Sequence, residues 1–188
     1  MIKTYVIDTN VLIQAPYAIE CFEENNLVLP LVVLEELDGL KKAEGEKGAN
    51  ARAAVRKLES YRQKGDLLQG VKLPGGGILR IEKNFVQVEL PQDIPDDKPD
   101  NRILKVCKGL AETEKEGQVI LVTKDIVLRL KAQILGIRAE DFERERISED
   151  DAQYTGRTEI YFPEEKVKEF KKKGIPLTDA YQSDEEGN

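Results

Sequence analysis

The 188-residue chain contains no histidine, and that absence removes a large part of enzyme chemistry. Without imidazole there is no Ser-His-Asp triad, no imidazole general base and no His-ligated zinc. Two cysteines, Cys21 and Cys107, are too few for a zinc site built from four thiolates. They lie 86 residues apart, and Cys107 shares an apolar helical spacing with Ile103, Val106 and Leu110. They read as two buried free thiols in a reducing, cytoplasmic setting, with one disulfide as the alternative. No run of about 18 apolar residues occurs, so no membrane-spanning segment is expected. The N-terminus, MIKTYVIDTNVLI, lacks the long apolar stretch and small-residue cleavage site of a signal peptide. Any catalysis must therefore draw on carboxylates, amines, hydroxyls or a hard metal ion, and carboxylates are plentiful.

Charge is abundant but unevenly placed. Lys and Arg number 29 against 36 Asp and Glu, a net charge of −7. Residues 1–139 balance at 21 of each sign, whereas residues 140–188 carry 8 basic and 15 acidic side chains. Within the balanced part, Lys41 to Lys64 holds eight basic residues against three acidic ones. An acidic total does not exclude a nucleic-acid partner when one stretch is this basic, although a solvated helix face would look the same.

The order of elements points to an α/β fold. Tyr5-Val6-Ile7 predicts a buried strand, followed by helical segments interrupted near Pro16. Leu27-Val28-Leu29 predicts a second strand that must finish at Pro30, which has no N–H to donate. A helix follows from Leu31, then a loop over Lys41 to Gly48, then a helix over Ala49 to Lys64. Ile78 to Ile81 and Phe85 to Val88 are two short β-like runs after Pro74-Gly75-Gly76-Gly77, expected to form an inserted hairpin or extended excursion. The glycines are no phosphate loop, because no Gly-Lys-Ser/Thr follows them. Asp100 to Glu116 predicts a helix, Val119 to Thr123 the clearest buried strand, and Ile126 to Leu135 another helix, with an edge strand within Ile137 to Phe142. Such alternation argues for an α/β fold with a mostly parallel sheet and right-handed crossovers. Residues 1–142 are expected to form the domain, with 71–90 as a hairpin-like insertion and 143–188 as an acidic tail or linker containing a strand at Thr158–Phe162 and a short helix at Glu164–Lys173.

Open parallel sheets bind ligands at the carboxyl ends of their strands. The first strand ends at Asp8, with Asn10 two residues on; the helix after the second strand delivers Glu35 and Glu36; the helix beginning at Asp100 feeds the strand that ends at Thr123, with Asp125 two residues on. Bare carboxylates about 4 Å apart repel by roughly 4 kcal/mol at an effective dielectric near 20. Protons or divalent cations must relieve that, and an all-oxygen site favours Mg²⁺ or Mn²⁺ over zinc. Each residue also has a plainer role open to it. Asp8 and Asp125 could cap helices, Asp100 suits a helix N-terminus, and Glu35 and Glu36 could be solvated. A phosphotransfer receiver would use a similar acidic pocket, but no Asp between residues 39 and 92 ends a strand in the required way.

These residues also carry a family resemblance. Val6-Ile7-Asp8-Thr9-Asn10-Val11-Leu12, Pro30 to Asp38, Asp100-Asn101-Arg102-Ile103-Leu104 and Leu121-Val122-Thr123-Lys124-Asp125 resemble, in order, the four motifs of PIN-domain nucleases. Gly48-Ala49-Asn50-Ala51-Arg52, Asp125 to Ala132 and Tyr154-Thr155-Gly156 resemble the PIN module that precedes a PhoH-type ATPase. The resemblance implies a three-layer α/β/α sandwich with a mostly parallel central sheet, and divalent-metal-dependent cleavage of single-stranded RNA. It implies that Asp8, Glu36, Asp100 and Asp125 hold one or two Mg²⁺ or Mn²⁺ ions, that Asn10 and Thr123 orient carboxylates or a metal-bound water, and that Asp96 and Asp97 are candidate outer ligands. Arg52 and Arg56, one helical turn apart, are expected to steer phosphates. The ATPase's Gly-x-x-x-x-Gly-Lys-Ser/Thr loop is not in this sequence, so either the chain is the nuclease half of something longer, with a PhoH-type ATPase domain in cis or in trans, or it works alone. The alternative is an RNA-binding module with little turnover that positions RNA for such an ATPase. Either could form a homo-oligomer.

Overall fold

The computed structural model describes residues 2–95, 97–113 and 117–142. Among them, apolar stretches pair into a six-stranded sheet of order β3-β4-β2-β1-β5-β6. Strands β1 (Lys3–Ile7), β2 (Asn26–Pro30) and β5 (Gln118–Val122) are buried at every position after the first. Continuous burial on both faces marks a central parallel sheet, covered by helices above and below. β1 lies parallel to both β2 and β5, β4 (Ile78–Glu82) is parallel to β2, and β6 (Arg138–Glu140) is parallel to β5. Only β3 (Val71–Lys72) runs antiparallel, against β4.

From β1 the chain first steps outward through β2 to β4, then returns across the sheet to β5 and β6. The reversal puts a topological switch between β1 and β5. Helices α1 (Thr9–Gln14), α2 (Leu31–Leu40) and α3 (Gly45–Arg62) pack together; α4 (Pro99–Thr113) packs on β5 and α5 (Ile126–Ile134). Right-handed crossovers place the two groups on opposite faces, giving the three-layer α/β/α sandwich. Among the described residues no helix is long and apolar enough to cross a membrane.

Several local expectations need correction. The 41–48 segment is not all loop: α3 starts at Gly45, four residues before the expected Ala49. Gly48 permits this, because a Cβ there would stand 1.8 Å from the Ala43 carbonyl oxygen. The 71–90 segment contributes β3 and β4, and β4 belongs to the main sheet rather than to an excursion from it. Two of its glycines face another stretch of backbone: a Cβ at Gly75 would lie 2.6 Å from the Glu23 oxygen, and one at Gly77 1.9 Å from that of Asn25. Phe85 to Val88 is a turn, not a strand. Phe85 adopts φ 44°, Val88 N–H donates to its carbonyl at 2.9 Å, and its ring occupies the space a Gly109 Cβ would need. Neither cysteine forms a disulfide among the described residues, but only Cys107 is fully buried; Cys21 is partly exposed. The strand and helix expected at 158–162 and 164–173, together with Tyr154-Thr155-Gly156, lie outside the described residues.

Candidate active site

The registry of the sheet builds the site. Ile7 pairs with Val122, so the residues that follow, Asp8 and Thr123, emerge side by side at the switch point. The Asp8 N–H continues the ladder by donating to the Val122 carbonyl at 3.1 Å. Asp8 is 2% exposed and occupies the N-cap position of α1, yet its side chain makes no capping hydrogen bond. The plainer role for this carboxylate is thereby excluded. Instead the Thr123 hydroxyl donates to Asp8 Oδ2 at 2.6 Å, and Asn10 Nδ2 donates to the same oxygen at 3.3 Å. Oδ1 is engaged by neither.

Electrostatics around Asp8 are unfavourable. Its carboxyl is held above the usual range, first by burial, and further by the negative charges of Asp100 and Glu36. The Thr123 hydroxyl and the Thr9 backbone oppose that rise without cancelling it. Glu36 and Asp100 thus stand close enough to Asp8 to oppose its ionisation, and among the described residues no lysine or arginine is paired with it.

Each neighbour is positioned by a contact of its own. Glu36, on the second turn of α2, accepts a hydrogen bond from the Thr9 hydroxyl of α1. Glu35 points elsewhere, 4.0 Å from Arg102 Nη1 and mostly exposed, which separates two residues that sequence alone leaves nearly equivalent. Asp100 occupies the first turn of α4. The next residue, Asn101, is buried; its Nδ2 donates to the Pro95 carbonyl at 2.5 Å and its Oδ1 accepts from Lys131 Nζ at 3.0 Å. Thr9, Asn101 and Lys131 were not identifiable as site-building residues from sequence. The one signal each carries is its place inside a family motif, Thr9 in the first, Asn101 in the third and Lys131 in the run from Asp125 to Ala132.

Asp125 behaves differently. Its N–H donates to Thr123 Oγ at 3.0 Å, which ties it to Asp8 through one hydroxyl. Its Oδ1 caps α5, accepting from the N–H groups of Val127 and Leu128 at 2.7 and 3.1 Å. Arg52 does not face the carboxylates: its Nη1 donates to the Lys41 carbonyl at 2.8 Å and closes the α2–α3 connection. Arg56 sits further along α3, and Asp97 is exposed; Asp96 lies outside the described residues.

A cleft of about 570 Å³ opens beside the carboxylates. Asn10 and Gln14 of α1 line one wall, Glu46 and Lys47 of α3 a second, and Lys124 and Asp125 a third. Among the described residues no three carboxylates stand close enough to form a ready cage for a metal ion. Each carboxylate is instead engaged within the protein, Glu36 by the Thr9 hydroxyl, Asp8 by Thr123 and Asn10, and Asp125 by its cap.

An α/β/α sandwich with acidic groups gathered at its switch point defines a class of scaffold; sequence comparison makes the class specific. Residues 5–143 match the PIN domain family model, and the chain belongs to the PIN domain family, whose members are in general nucleases. It is 44% identical over 188 residues to the protein PhoH2 of Bacillus subtilis, and 35% identical over 181 residues to PhoH2 of Thermobispora bispora. These alignments cover 97% and 95% of this chain but only 42% and 40% of the relatives, so the chain spans about two-fifths of their length. Among solved structures, it is similar to the PIN domain of human SMG5, with 19% identity, a TM-score of 0.44, and coverage of 73% of this chain and 92% of the other.

Proposed function

We propose that this chain is a divalent-metal-dependent endoribonuclease domain that hydrolyses phosphodiester bonds of single-stranded RNA. One observation carries the reading. A buried carboxylate, Asp8, stands at the switch point of a parallel sheet with Asp100 and Glu36 nearby, hydrogen-bonded by neutral side chains and, among the described residues, by no cation. Such a group is poorly placed as a structural anion and well placed as a ligand for a hard cation.

The donor set fits Mg²⁺ or Mn²⁺. All of it is oxygen, and Mg²⁺ commonly uses one or two carboxylates and keeps several waters, so a dense protein cage is not required. Asp8, Glu36 and Asp100 would hold the ion, with Asp125 joining through the oxygen its cap leaves over. When bound, the ion would neutralise charge on a phosphodiester and make water a nucleophile at neutral pH. The protein's own residues do the rest. Thr123 and Asn10 fix the plane of the Asp8 carboxylate through Oδ2. Thr9 draws Glu36 toward α1. Asn101 anchors the first turn of α4, so that Asp100 keeps its place beside Asp8. The free thiols and the composition accord with a reducing, cytoplasmic setting.

The test is cleavage of an end-labelled single-stranded RNA in Mn²⁺. Wild-type protein should cut, chelator should stop it, and Asp8→Asn should be inactive while folded. Cleavage by Asp8→Asn at the wild-type rate refutes the proposal. A second reading, an RNA-binding PIN module that positions RNA for a PhoH-type ATPase in cis or in trans, is favoured by the separation of the carboxylates among the described residues. It requires tight RNA binding without turnover in Mn²⁺.

A further inference from the structure

We infer that Lys47, rather than Arg52 or Arg56, is the residue of the basic α3 segment that positions the RNA backbone, by binding a phosphate in the cleft beside Asp8. This rests on the nuclease reading for its substrate class, but its geometry is independent of that reading. The cleft adjoins the carboxylates through two shared residues. Asn10 lines it and donates to Asp8; Asp125 lines it and donates through its N–H to the same threonine that holds Asp8. A strand lying in the cleft therefore meets Asn10 and Asp125, the two lining residues tied to Asp8 and Thr123.

Two lysines reach this space. Lys124 already faces a carboxylate, with its Nζ 3.2 Å from Asp141 Oδ1. Lys47 is exposed and has no ion pair among the described residues. Its charge is therefore available to an anionic ligand without breaking an existing pair.

The placement of Lys47 is built by its neighbours. Gly48 lets the connection fold back, because any Cβ would collide with the Ala43 carbonyl. Arg52 Nη1 holds the Lys41 carbonyl at 2.8 Å, clamping the same connection from the other side. Asn50 Nδ2 donates to the Ile13 carbonyl at 2.7 Å and fastens α3 to the end of α1. These contacts bring the first turn of α3 against the face of α1 that carries Asn10 and Gln14. Arg56 is nine residues further on, about 13 Å along the helix, and does not line the cleft.

The experiment measures binding of a labelled single-stranded oligoribonucleotide to the full chain in chelator, across a range of salt, alongside cleavage in Mn²⁺. Single-strand binding loses about 0.7 in the slope of log affinity against log salt for each phosphate contact removed. Lys47→Ala should weaken binding about fivefold at low salt and flatten the slope by about that amount, while Lys47→Arg keeps the wild-type slope. In Mn²⁺, Lys47→Ala should raise KM and leave kcat near wild type. Circular dichroism checks that the exposed substitution leaves the fold intact. A Lys47→Ala slope equal to wild type overturns the inference, as does a loss of slope in Arg56→Ala with none in Lys47→Ala. If wild type binds but never cleaves, the nuclease reading fails, and the slopes alone still decide the role of Lys47.

Discussion

The Thr123 hydroxyl is the joint of the site, and removing it has a calculable cost. Thr123→Val keeps the shape of the side chain and deletes one oxygen. That oxygen donates to a buried carboxylate at 2.6 Å and accepts from the Asp125 N–H at 3.0 Å. A hydrogen bond to a charged group contributes about 1.5–3 kcal/mol, and leaving a partly buried N–H unpaired costs about 1 kcal/mol more. The variant should therefore lose about 3 kcal/mol of stability, before any effect on catalysis. Urea denaturation should show this as a lowered midpoint with an unchanged m-value. The cycle with Asp8→Asn sharpens the test. With a neutral residue at position 8 the charge-assisted part disappears, so the same substitution should cost only about 1–2 kcal/mol there. A Thr123→Val chain within about 0.5 kcal/mol of wild type, or an equal cost in both backgrounds, would refute the argument that this hydroxyl stabilises an anion.

Other outcomes follow from the same contacts. Asp8→Asn should raise the stability of the metal-free protein at neutral pH, since it removes a carboxylate whose ionisation burial and two neighbouring anions oppose. Because the folded-state pKa of Asp8 lies above its unfolded value, this group's penalty is fully present above the folded pKa and disappears as pH falls toward the unfolded one. The advantage of Asp8→Asn should therefore shrink on acidification, read by melting at a series of pH values; an advantage that grows in acid would contradict the assignment. Adding Mn²⁺ should stabilise wild type by mass action, about 2.7 kcal/mol at a hundredfold excess over Kd, and stabilise Asp8→Asn far less in a thermal-shift assay. Gly48→Ala should destabilise by about 1–3 kcal/mol, because its new methyl meets backbone rather than a movable side chain. Chemical denaturation that leaves Gly48→Ala unchanged would show that the α2–α3 connection yields.

What the chain alone reveals depends on the range over which each constraint acts. Strands β1, β2 and β5 were legible because an unbroken apolar run bounded by polar residues has few other uses in a parallel sheet. Pro30 marked a strand end correctly, because its missing N–H acts at its own position. The start of α3 was not legible. Gly45 and Gly48 look like loop residues locally, and only the nearness of the Ala43 carbonyl makes Gly48 a requirement of the helix. Phe85 to Val88 has strand composition but becomes a turn because its first ring fills the gap over Gly109, a contact across 24 residues.

The site divides the same way. Strand ends and helix starts, together with parallel pairing, were enough to bring Asp8, Glu36 and Asp100 to one edge. Sequence by itself thus determined the class of fold and the edge of the sheet on which acidity collects, but not the strand order or the place of β4 in the sheet. Tertiary structure decided what each oxygen does: Asp8 is left uncapped, Asp125 caps α5, Glu36 rather than Glu35 meets Thr9, and Arg52 closes a connection instead of facing the cleft. The physical reason is reach. Periodicity and strand ends act along the chain and place backbone to within a turn, whereas a hydrogen bond is settled within about 3 Å by atoms that sequence separation says nothing about.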